Sequence, residues 1–402
     1  MTLSSNGALS GIRVLDLTRV LAGPWCAMLL GDLGADVIKV ESPKAGDDTR
    51  AWGPPFLQGE SAYYLGCNRN KRGIAVDLST QPGQQLLKKL IAKSDVLLDN
   101  FKSGTLEKWG FDTDWFEEHA PKLVRCSITG YGEVGPKAGM PGYDFILQAE
   151  SGLMSISGDV NGAPAKYGVA VVDIATGMMA ANAVQAGLIA RYRTNLGQKV
   201  EVCLFDTSIA LLANVGSSHL ATGKDARRYG NGHPTIVPYT TFAAIDGAIA
   251  IAVGNDAQFA RLCDLLGHPQ WAQDDRFKTN AARIDHRDLI EQLIGQETIT
   301  RDGDALLAEL REAAIPCGKV NTVTAALADP HVLARDMVKR IQHPEIGEFK
   351  TLGIPLRLSH TPASVRLAPP RLGEHTVEVL RDDLGLSEDE ILTLREQKII
   401  AG

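Results

Sequence analysis

The chain of 402 residues has few of the residues that build metal or disulfide sites. Its six cysteines stand singly, without a CxxC pair and without histidines at metal-ligand spacing. Each is therefore expected to be a small buried hydrophobic residue. The first residues, MTLSSNGALSG, lack the charged and apolar stretches of a signal peptide. These features predict a reduced protein without a metal site, located in the cytoplasm, or in an organelle matrix if a leader has been removed.

An excess of positive charge is also missing. The chain has 41 basic and 48 acidic residues, which give a net charge of −7. Without a basic stripe, nucleic acid is excluded as the expected partner. Any anion-binding capacity is instead expected in local clusters such as Arg69–Arg72.

A membrane span is not expected either. The longest apolar stretch runs from Gly168 to Thr194, but Asp173, Asn182 and Gln185 interrupt it. The stretch therefore predicts a core segment of a protein that has no membrane partner.

The order of predicted elements indicates an α/β fold. A strand over Ile12–Leu17, a helix to Leu33 and a strand over Asp36–Glu41 form a βαβ unit. Further strands are predicted at residues 74–78, 96–99 and 123–128, alternating with helices, which favours a doubly wound parallel sheet. The first turn has no GxGxxG motif, so a dinucleotide site is not expected.

A smaller α+β domain is predicted at residues 225–325, between a large domain at 1–224 and its continuation at 326–402. Its main signal is Asp246-Gly247, which separates two strand-like runs, Tyr239–Ala244 and Ala248–Val253. Asp-Gly between such runs is typical of a β-hairpin.

Asp173 is the first candidate for a functional residue. It stands between a predicted buried strand, Val169–Val172, and a predicted helix that begins at Ile174. Ligands of open α/β sheets bind outside the carboxyl ends of the strands, and a helix N-terminus favours an ionised carboxylate. The residue is either a nucleophile or a simple N-cap, since aspartate is common in that role.

Several sequence strings, taken together and in chain order, resemble one family from about residue 10 to residue 376. They are LDLTRVLAGP, GDLGADVIKVE, GDDTRAWGPPF, NRNKRGIAVDL, LLDNFKSGTLEKWG, SITGYGEVGP, VVDIATG and PPRLGEHT. The chain resembles the family III CoA-transferases, also called the CaiB/BaiF family.

The resemblance implies a Rossmann-like large domain without a dinucleotide, a small domain, and an interlocked-ring homodimer. It also implies that Asp173 is acylated during the reaction, close to a loop of the other subunit at Gly230, Asn231 and Gly232. Backbone N–H groups of such a loop would stabilise oxyanions, and losing one donor typically slows a reaction by ~10²–10³. The resemblance implies that CoA is a substrate and that no cofactor is permanently bound.

The resemblance also implies which residues bind CoA. Lys71 matches a phosphate-binding lysine, and Lys108 stands where relatives have an arginine, which keeps the charge without the fork geometry. The complete set carried over by position is Val20, Ala22, Lys71, Asn100, Phe101, Lys108 and Tyr131.

Within the family, the strings most resemble transferases that use succinyl-CoA as donor and glutarate as acceptor. A dicarboxylate needs a cation for the carboxylate that does not react, its distal carboxylate, because a buried unpaired charge is strongly unfavourable. The candidates are Arg50, Arg69 and His233. Alternatively, each of these residues lies at the protein surface or contacts a CoA phosphate. A further alternative for Arg50 is that it braces the turn at residues 52–55, and for His233 that it packs its loop.

Three other functions remain open at this point. The first is transfer to another acid, such as mesaconate, itaconate or malate. The second is an isomerase like the α-methylacyl-CoA racemases; their pattern has GHD, whereas Gly142-Tyr143-Asp144 here lacks the histidine. The third is a CoA-binding protein without catalytic activity.

Overall fold

The computed structural model describes residues 6–402. The strands are β1 (Arg13–Asp16), β2 (Asp36–Glu41), β3 (Phe56–Leu57), β4 (Glu60–Ser61), β5 (Lys71–Val76), β6 (Val96–Asp99), β7 (Val124–Thr129), β8 (Lys199–Cys203), β9 (Tyr239–Ala244), β10 (Gly247–Ala252), β11 (Cys317–Lys319), β12 (Val338–His343), β13 (Gly347–Leu352) and β14 (Ile400–Ala401). The α-helices are α1 (Ala22–Asp32), α2 (Ala62–Cys67), α3 (Gln81–Ile91), α4 (Thr105–Lys108), α5 (Thr113–His119), α6 (Asp144–Glu150), α7 (Val171–Thr194), α8 (Leu204–Ala210), α9 (Ala213–Thr222), α10 (Asp256–Leu266), α11 (Asn280–Asp285), α12 (Arg287–Thr298), α13 (Gly303–Glu312), α14 (Val323–Ala328), α15 (Pro330–Ala334), α16 (Thr376–Glu378) and α17 (Glu388–Glu396).

Two compact units make up the described chain. The first contains the residues up to Leu153, Tyr167–Ser218 and His331–Gly402. The second contains Met154–Lys166 and His219–Pro330, so it includes a segment that the sequence analysis assigned to the large domain.

The first unit is built on a mixed sheet with the strand order β14-β5-β2-β1-β6-β7-β8. Its strands run parallel, except that β14 is antiparallel to β5. Alternate residues of the parallel strands enter two separate cores, one facing α1 and α7 and the other facing α3 and α5. Apolar burial on both faces explains the nearly continuous hydrophobic runs in these strands. The predicted parallel α/β arrangement is confirmed.

The second unit is built on a three-stranded sheet, β11-β10-β9. Strands β9 and β10 form the expected antiparallel hairpin, with Gly247 paired to Ala244 next to the turn. The helices α10, α12 and α13 contribute the apolar residues that bury one face of this sheet.

Helix α7 corrects two predictions. Val169–Val172 is not a strand, because the helix already begins at Val171 with Ala170 as its N-cap. The helix is also not fully a core segment. Of its most apolar stretch of 18 residues, 44% is buried. By length and composition alone, the helix is long and apolar enough to span a membrane.

Candidate active site

A cleft of about 210 Å³ opens between β1 and β6, where the order of the strands in the sheet reverses. Loops that follow β1, β6 and β7 line it, together with the beginnings of α7 and α8. This is the switch point at which open α/β sheets bind their ligands. The cleft brings together the sequence-predicted residues Val20, Ala22, Asn100, Phe101, Tyr131 and Asp173.

Asp173 lies in the first turn of α7, where it does not act as the cap. The backbone N–H groups of Val172 and Asp173 donate to Oδ1 of Asp144, at 2.7 and 3.3 Å. The other oxygen of Asp144 accepts from Gln148 Nε2 at 2.6 Å. Asp144 therefore satisfies the free N–H groups of the first turn, and the Asp173 side chain remains available for chemistry.

The electrostatic setting of Asp173 also differs from the expectation. Burial raises the pKa of its carboxyl to about 7, and the neighbouring carboxylate of Asp144 adds to this increase. The helix N-terminus was expected to keep the group ionised, but desolvation and the like charge outweigh it. A carboxyl with a pKa near neutrality is a frequent feature of catalytic sites.

Val20 forms part of the cleft wall in a strained conformation. Its φ angle is +72°, a left-handed value that costs a β-branched residue of the order of 1–3 kcal/mol. Its backbone N–H donates to Asp47 Oδ1 at 3.2 Å, while Lys39 Nζ donates to Asp47 Oδ2 at 3.0 Å and to Thr18 O at 2.8 Å. These bonds hold the loop after β1 against the strain.

The charge of Asp47 is well stabilised in this arrangement. Burial alone would raise its pKa, but Lys39 and the N–H of Thr49 outweigh burial and lower the pKa to about 2. The buried pair is therefore ionised over the whole physiological pH range.

Asn100 joins the loops that follow β1 and β6. Its Oδ1 accepts from the backbone N–H of Arg19 at 3.0 Å, and its Nδ2 donates to the carbonyl of Arg19 at 2.7 Å. Next to it, the ring of Phe101 packs edge-on against Trp109. Across the cleft, the Tyr131 hydroxyl donates to Glu150 Oε2 at 3.0 Å. These contacts fix the side chains that line the cleft.

Lys71 corrects the sequence analysis. It is fully buried, and its Nζ donates to Asp16 Oδ2, Pro24 O and Asn68 Oδ1 at 2.8–3.0 Å. Because all three N–H donors are used inside the protein, none remains for a CoA phosphate. Lys108 is exposed at the end of α4 and does not line this cleft.

Two of the three cations predicted to bind the distal carboxylate are already paired with carboxylates of the protein itself. Arg50 donates to both carboxylate oxygens of Glu41 at 2.8 Å, so it is bound there and not to the turn at residues 52–55. Arg69 makes a bidentate pair with Asp32, at 2.9 and 2.7 Å, and it is buried. Neither guanidinium is available to a substrate.

The remaining predicted residues belong to the second unit. Gly230 has a φ of +59°, and Asn231 Nδ2 donates to Thr241 Oγ1 at 2.9 Å. The N–H of Gly232 donates to Tyr229 O at 2.8 Å, so this amide is not free to stabilise an oxyanion. His233 Nδ1 accepts from the N–H of Thr235 at 3.1 Å, which is the loop-packing role.

Sequence reasoning missed the supporting residues of the cleft. Asp144, Asp47 and Lys39 act through contacts with distant parts of the chain, and the sequence analysis named Asp144 only in the comparison with the GHD pattern of the racemases. Within residues 6–402, no group of three His, Cys, Asp or Glu side chains is arranged to hold a metal ion.

Fold and cleft together define an α/β protein with a partly buried carboxyl group at the switch point of its sheet. The model of CoA-transferase family III matches residues 9–376. A succinate–glutarate CoA-transferase from Agrobacterium fabrum is 44% identical over 380 residues, which cover 93% of this chain and 95% of that protein. The human succinyl-CoA:glutarate CoA-transferase is 41% identical, covering 94% of this chain and 86% of that protein. The chain therefore belongs to CoA-transferase family III.

Solved structures support the same assignment. A CaiB/BaiF family protein from Brucella suis is 43% identical and superposes with a TM-score of 0.84, over 94% of this chain and 100% of that chain. A hypothetical protein from Mycobacterium tuberculosis is 28% identical and has a TM-score of 0.82, over 93% and 99% of the two chains.

Proposed function

We propose that this enzyme transfers CoA from succinyl-CoA to glutarate. The observation that carries the proposal is the partly buried carboxyl of Asp173, which lies in the switch-point cleft of a chain 44% and 41% identical to two transferases named for these acids. The elevated pKa of Asp173 favours a role in chemistry over a purely structural role.

The reaction proceeds through two anhydrides and one thioester. The Asp173 carboxylate attacks the succinyl thioester carbonyl, forming a mixed anhydride and releasing CoA thiolate. The thiolate attacks the Asp173 carbonyl of the anhydride, which releases succinate and forms an aspartyl-CoA thioester. Glutarate attacks this thioester, and the thiolate released then attacks the glutaryl carbonyl. Glutaryl-CoA leaves, and the Asp173 carboxylate is regenerated.

CoA occupies the switch-point cleft with its thiol end toward Asp173. Val20, Ala22, Asn100, Phe101 and Tyr131 form its walls. A neighbouring cleft of about 480 Å³ shares Arg19, Phe101 and Lys102 with the first cleft, and it takes the nucleotide end. Lys44 and Lys102 supply positive charge there in place of the buried Lys71.

The working enzyme is a homodimer of interlocked rings, located in the cytoplasm. It binds CoA thioesters and short carboxylates, without a permanent cofactor, a nucleic acid or a membrane. The partner subunit brings Gly230 and Asn231 close to Asp173, and their backbone N–H groups stabilise the oxyanions. The family resemblance and the exposed apolar face of α7 support this assembly.

A product assay tests the reaction. The wild type receives succinyl-CoA with glutarate, mesaconate, itaconate or malate, and acyl-CoA products are identified by mass spectrometry. Glutaryl-CoA is expected from the wild type and is expected to disappear with Asp173→Asn, because the amide cannot form the anhydride.

Other products would contradict the proposal in distinguishable ways. Transfer to mesaconate in preference to glutarate would assign a different acceptor. Racemisation of a chiral acyl-CoA without transfer would indicate an isomerase. Tight CoA binding without turnover would indicate a protein that has kept only the binding site.

A further inference from the structure

We infer that Arg19 binds the distal carboxylate of the dicarboxylic acid and thereby selects dicarboxylates over monocarboxylates of the same length. This inference rests on the proposed function, because it concerns the dicarboxylic acids that form an anhydride with Asp173. It assigns the specificity to a residue that is held at the switch point by its backbone and whose side chain is free to bind.

The structure leaves few cations for this role. Arg50 and Arg69 are bound to Glu41 and Asp32 inside the protein. Among the described residues that line the cleft with Asp173, the positively charged side chains are those of Arg19 and Lys102. A dicarboxylate in this cleft therefore meets one or both of them.

The side chain of Arg19 is weakly engaged within the protein. Its guanidinium has one long contact, 3.5 Å from Nη1 to Asp48 Oδ2, and the two side chains are 52% and 54% exposed. An exposed pair of this kind contributes ~0–1 kcal/mol, so a substrate carboxylate can replace Asp48 at little cost.

The backbone of Arg19, in contrast, is well fixed. Asn100 binds both its N–H and its carbonyl, and the next residue is the strained Val20. Because the backbone is already fixed, ligand binding has to order only the Arg19 side chain.

The loop that carries Arg19 leads into α1, and α1 packs against the nucleophile's helix. The carbonyl of Ala22 approaches Gly177 so closely that a Cβ on that glycine would lie 2.6 Å from the oxygen. Gly177 is one helical turn after Asp173 on α7. Arg19 is therefore three residues before the point where the first turn of α1 touches the helix of the nucleophile.

The geometry of the two cations assigns them different roles. A guanidinium binds a carboxylate through two parallel N–H groups, whereas an ammonium acts as a point charge. Lys102 follows β6 and lines the switch-point cleft and the two cavities beside it, which suits a contact to CoA phosphates.

Two acceptors of equal chain length test the inference. Glutarate and valerate each have five carbons, and they differ in the distal carboxylate. The ratio of their kcat/KM values with succinyl-CoA as the common donor cancels any effect on the donor. Arg19→Met is expected to lower this ratio by about tenfold to a hundredfold, the loss for one hydrogen-bonded charge.

Three further variants serve as controls. Arg19→Lys retains the charge without the fork, and its ratio is expected to lie between those of the wild type and Arg19→Met. Lys102→Met is expected to weaken CoA binding and to leave the ratio unchanged. Asp48→Asn removes the competing carboxylate and is expected to lower the KM for glutarate.

The inference is overturned if Arg19→Met slows transfer to both acids equally, or if Lys102→Met changes the ratio instead. It is also overturned if Asp48→Asn raises the KM for glutarate. These outcomes differ from a failure of the proposed function, in which the wild type forms no glutaryl-CoA. Calorimetric binding of glutarate and valerate to the wild type and to Arg19→Met provides the same comparison without turnover.

Discussion

At the scale of single residues, Asp144 controls Asp173 in two ways. Its carboxylate accepts the N–H groups of Val172 and Asp173, which fixes the first turn of α7. Its negative charge also contributes, after burial, to the raised pKa of Asp173. Position and acidity of the nucleophile therefore depend on one side chain that is 8% exposed.

Substitution of Asp144 by asparagine separates the two effects. The amide oxygen still accepts the N–H groups, but the negative charge is removed. In the wild type, kcat/KM for transfer is expected to fall as the pH decreases through about 7, because protonated Asp173 is not a nucleophile. In Asp144→Asn this acidic limb is expected to move to lower pH by roughly half a unit to one unit.

The measurement is the pH profile of kcat/KM for the wild type and the variant. Asp112→Asn is the matched control, since Asp112 caps α5 through the N–H of Trp115 at 2.8 Å and does not line the cleft. An acidic limb that stays in place in Asp144→Asn would show that the Asp144 charge does not act on the nucleophile.

Sequence reasoning could place Asp173 in this region and could name Asp144, but it could not show that Asp144 supports the helix of Asp173. Asp173 follows an apolar run and precedes an Ala-rich helix, which is a local pattern. Asp144 is 29 positions from Asp173 in the sequence, and Asp47 is 27 positions from Val20. Such pairs form only when the chain folds, because no local propensity connects them.

At the scale of secondary structure, α7 depends on a close approach to the beginning of α1. Gly177 has no side chain, and a Cβ there would lie 2.6 Å from Ala22 O and 3.1 Å from Trp25 Cβ. The contact joins the helix of the nucleophile to α1, whose first residue, Ala22, lines the cleft. Glycine is therefore required by packing, although it is a poor helix former.

Gly177→Ala reverses the usual effect of this substitution. In an open helix, alanine is more stable than glycine by ~0.8–1 kcal/mol. At position 177 the backbone carbonyl of Ala22 cannot move away easily, so we expect a destabilisation of about 1–3 kcal/mol and a lower kcat. Thermal unfolding and steady-state kinetics of the variant provide the measurement.

Gly66→Ala in α2 is the control, because nothing lies within 4 Å of a Cβ at that position. It is expected to leave the stability unchanged or to raise it. If Gly177→Ala were as stable and as active as the control, the contact between α7 and the Ala22 carbonyl would not constrain the cleft.

The beginning of α7 also shows where sequence patterns are ambiguous. Val169–Val172 has the composition of a buried strand, but a short apolar run cannot be distinguished from the first turn of a helix by periodicity. The structure resolves the ambiguity through Asp144, which supplies the acceptor that this N-terminus needs. A tertiary contact therefore overrides the β propensity.

At the scale of the whole molecule, the basic cluster at residues 69–72 has a structural role. Arg69 pairs with Asp32, Lys71 with Asp16, and Arg72 with Asp36 and Asp383. The sequence suggested an anion-binding cluster, because it shows charges without showing their burial. The parallel arrangement of the sheet was predictable from alternation along the chain, whereas the partners of these charges were not.

A second property of the whole molecule is the apolar surface of α7. Met178, Met179, Ile189 and Tyr192 are exposed on this helix, while residues at helical spacing on its other side are buried in the core. Exposed apolar residues in such a group mark an interaction surface. The proposed homodimer provides a partner of the same chemistry, which would cover them.

Ile189→Glu tests whether a second copy covers this surface. Placing an unpaired charge in an apolar interface costs several kcal/mol, so we expect the dimer dissociation constant to increase by about a hundredfold or more. Transfer activity should fall in parallel, since the proposed site needs the partner's Gly230 and Asn231. Sedimentation velocity over a range of protein concentrations measures the association.

The control is Ile245→Glu, which changes an exposed isoleucine in the turn between β9 and β10. It is expected to remain dimeric and active, because it adds the same charge away from α7. A wild type that sediments as a monomer, or an Ile189→Glu variant that remains dimeric and active, would contradict the proposed assembly. Binding of the wild type to lipid vesicles would instead assign the exposed face of α7 to a membrane surface.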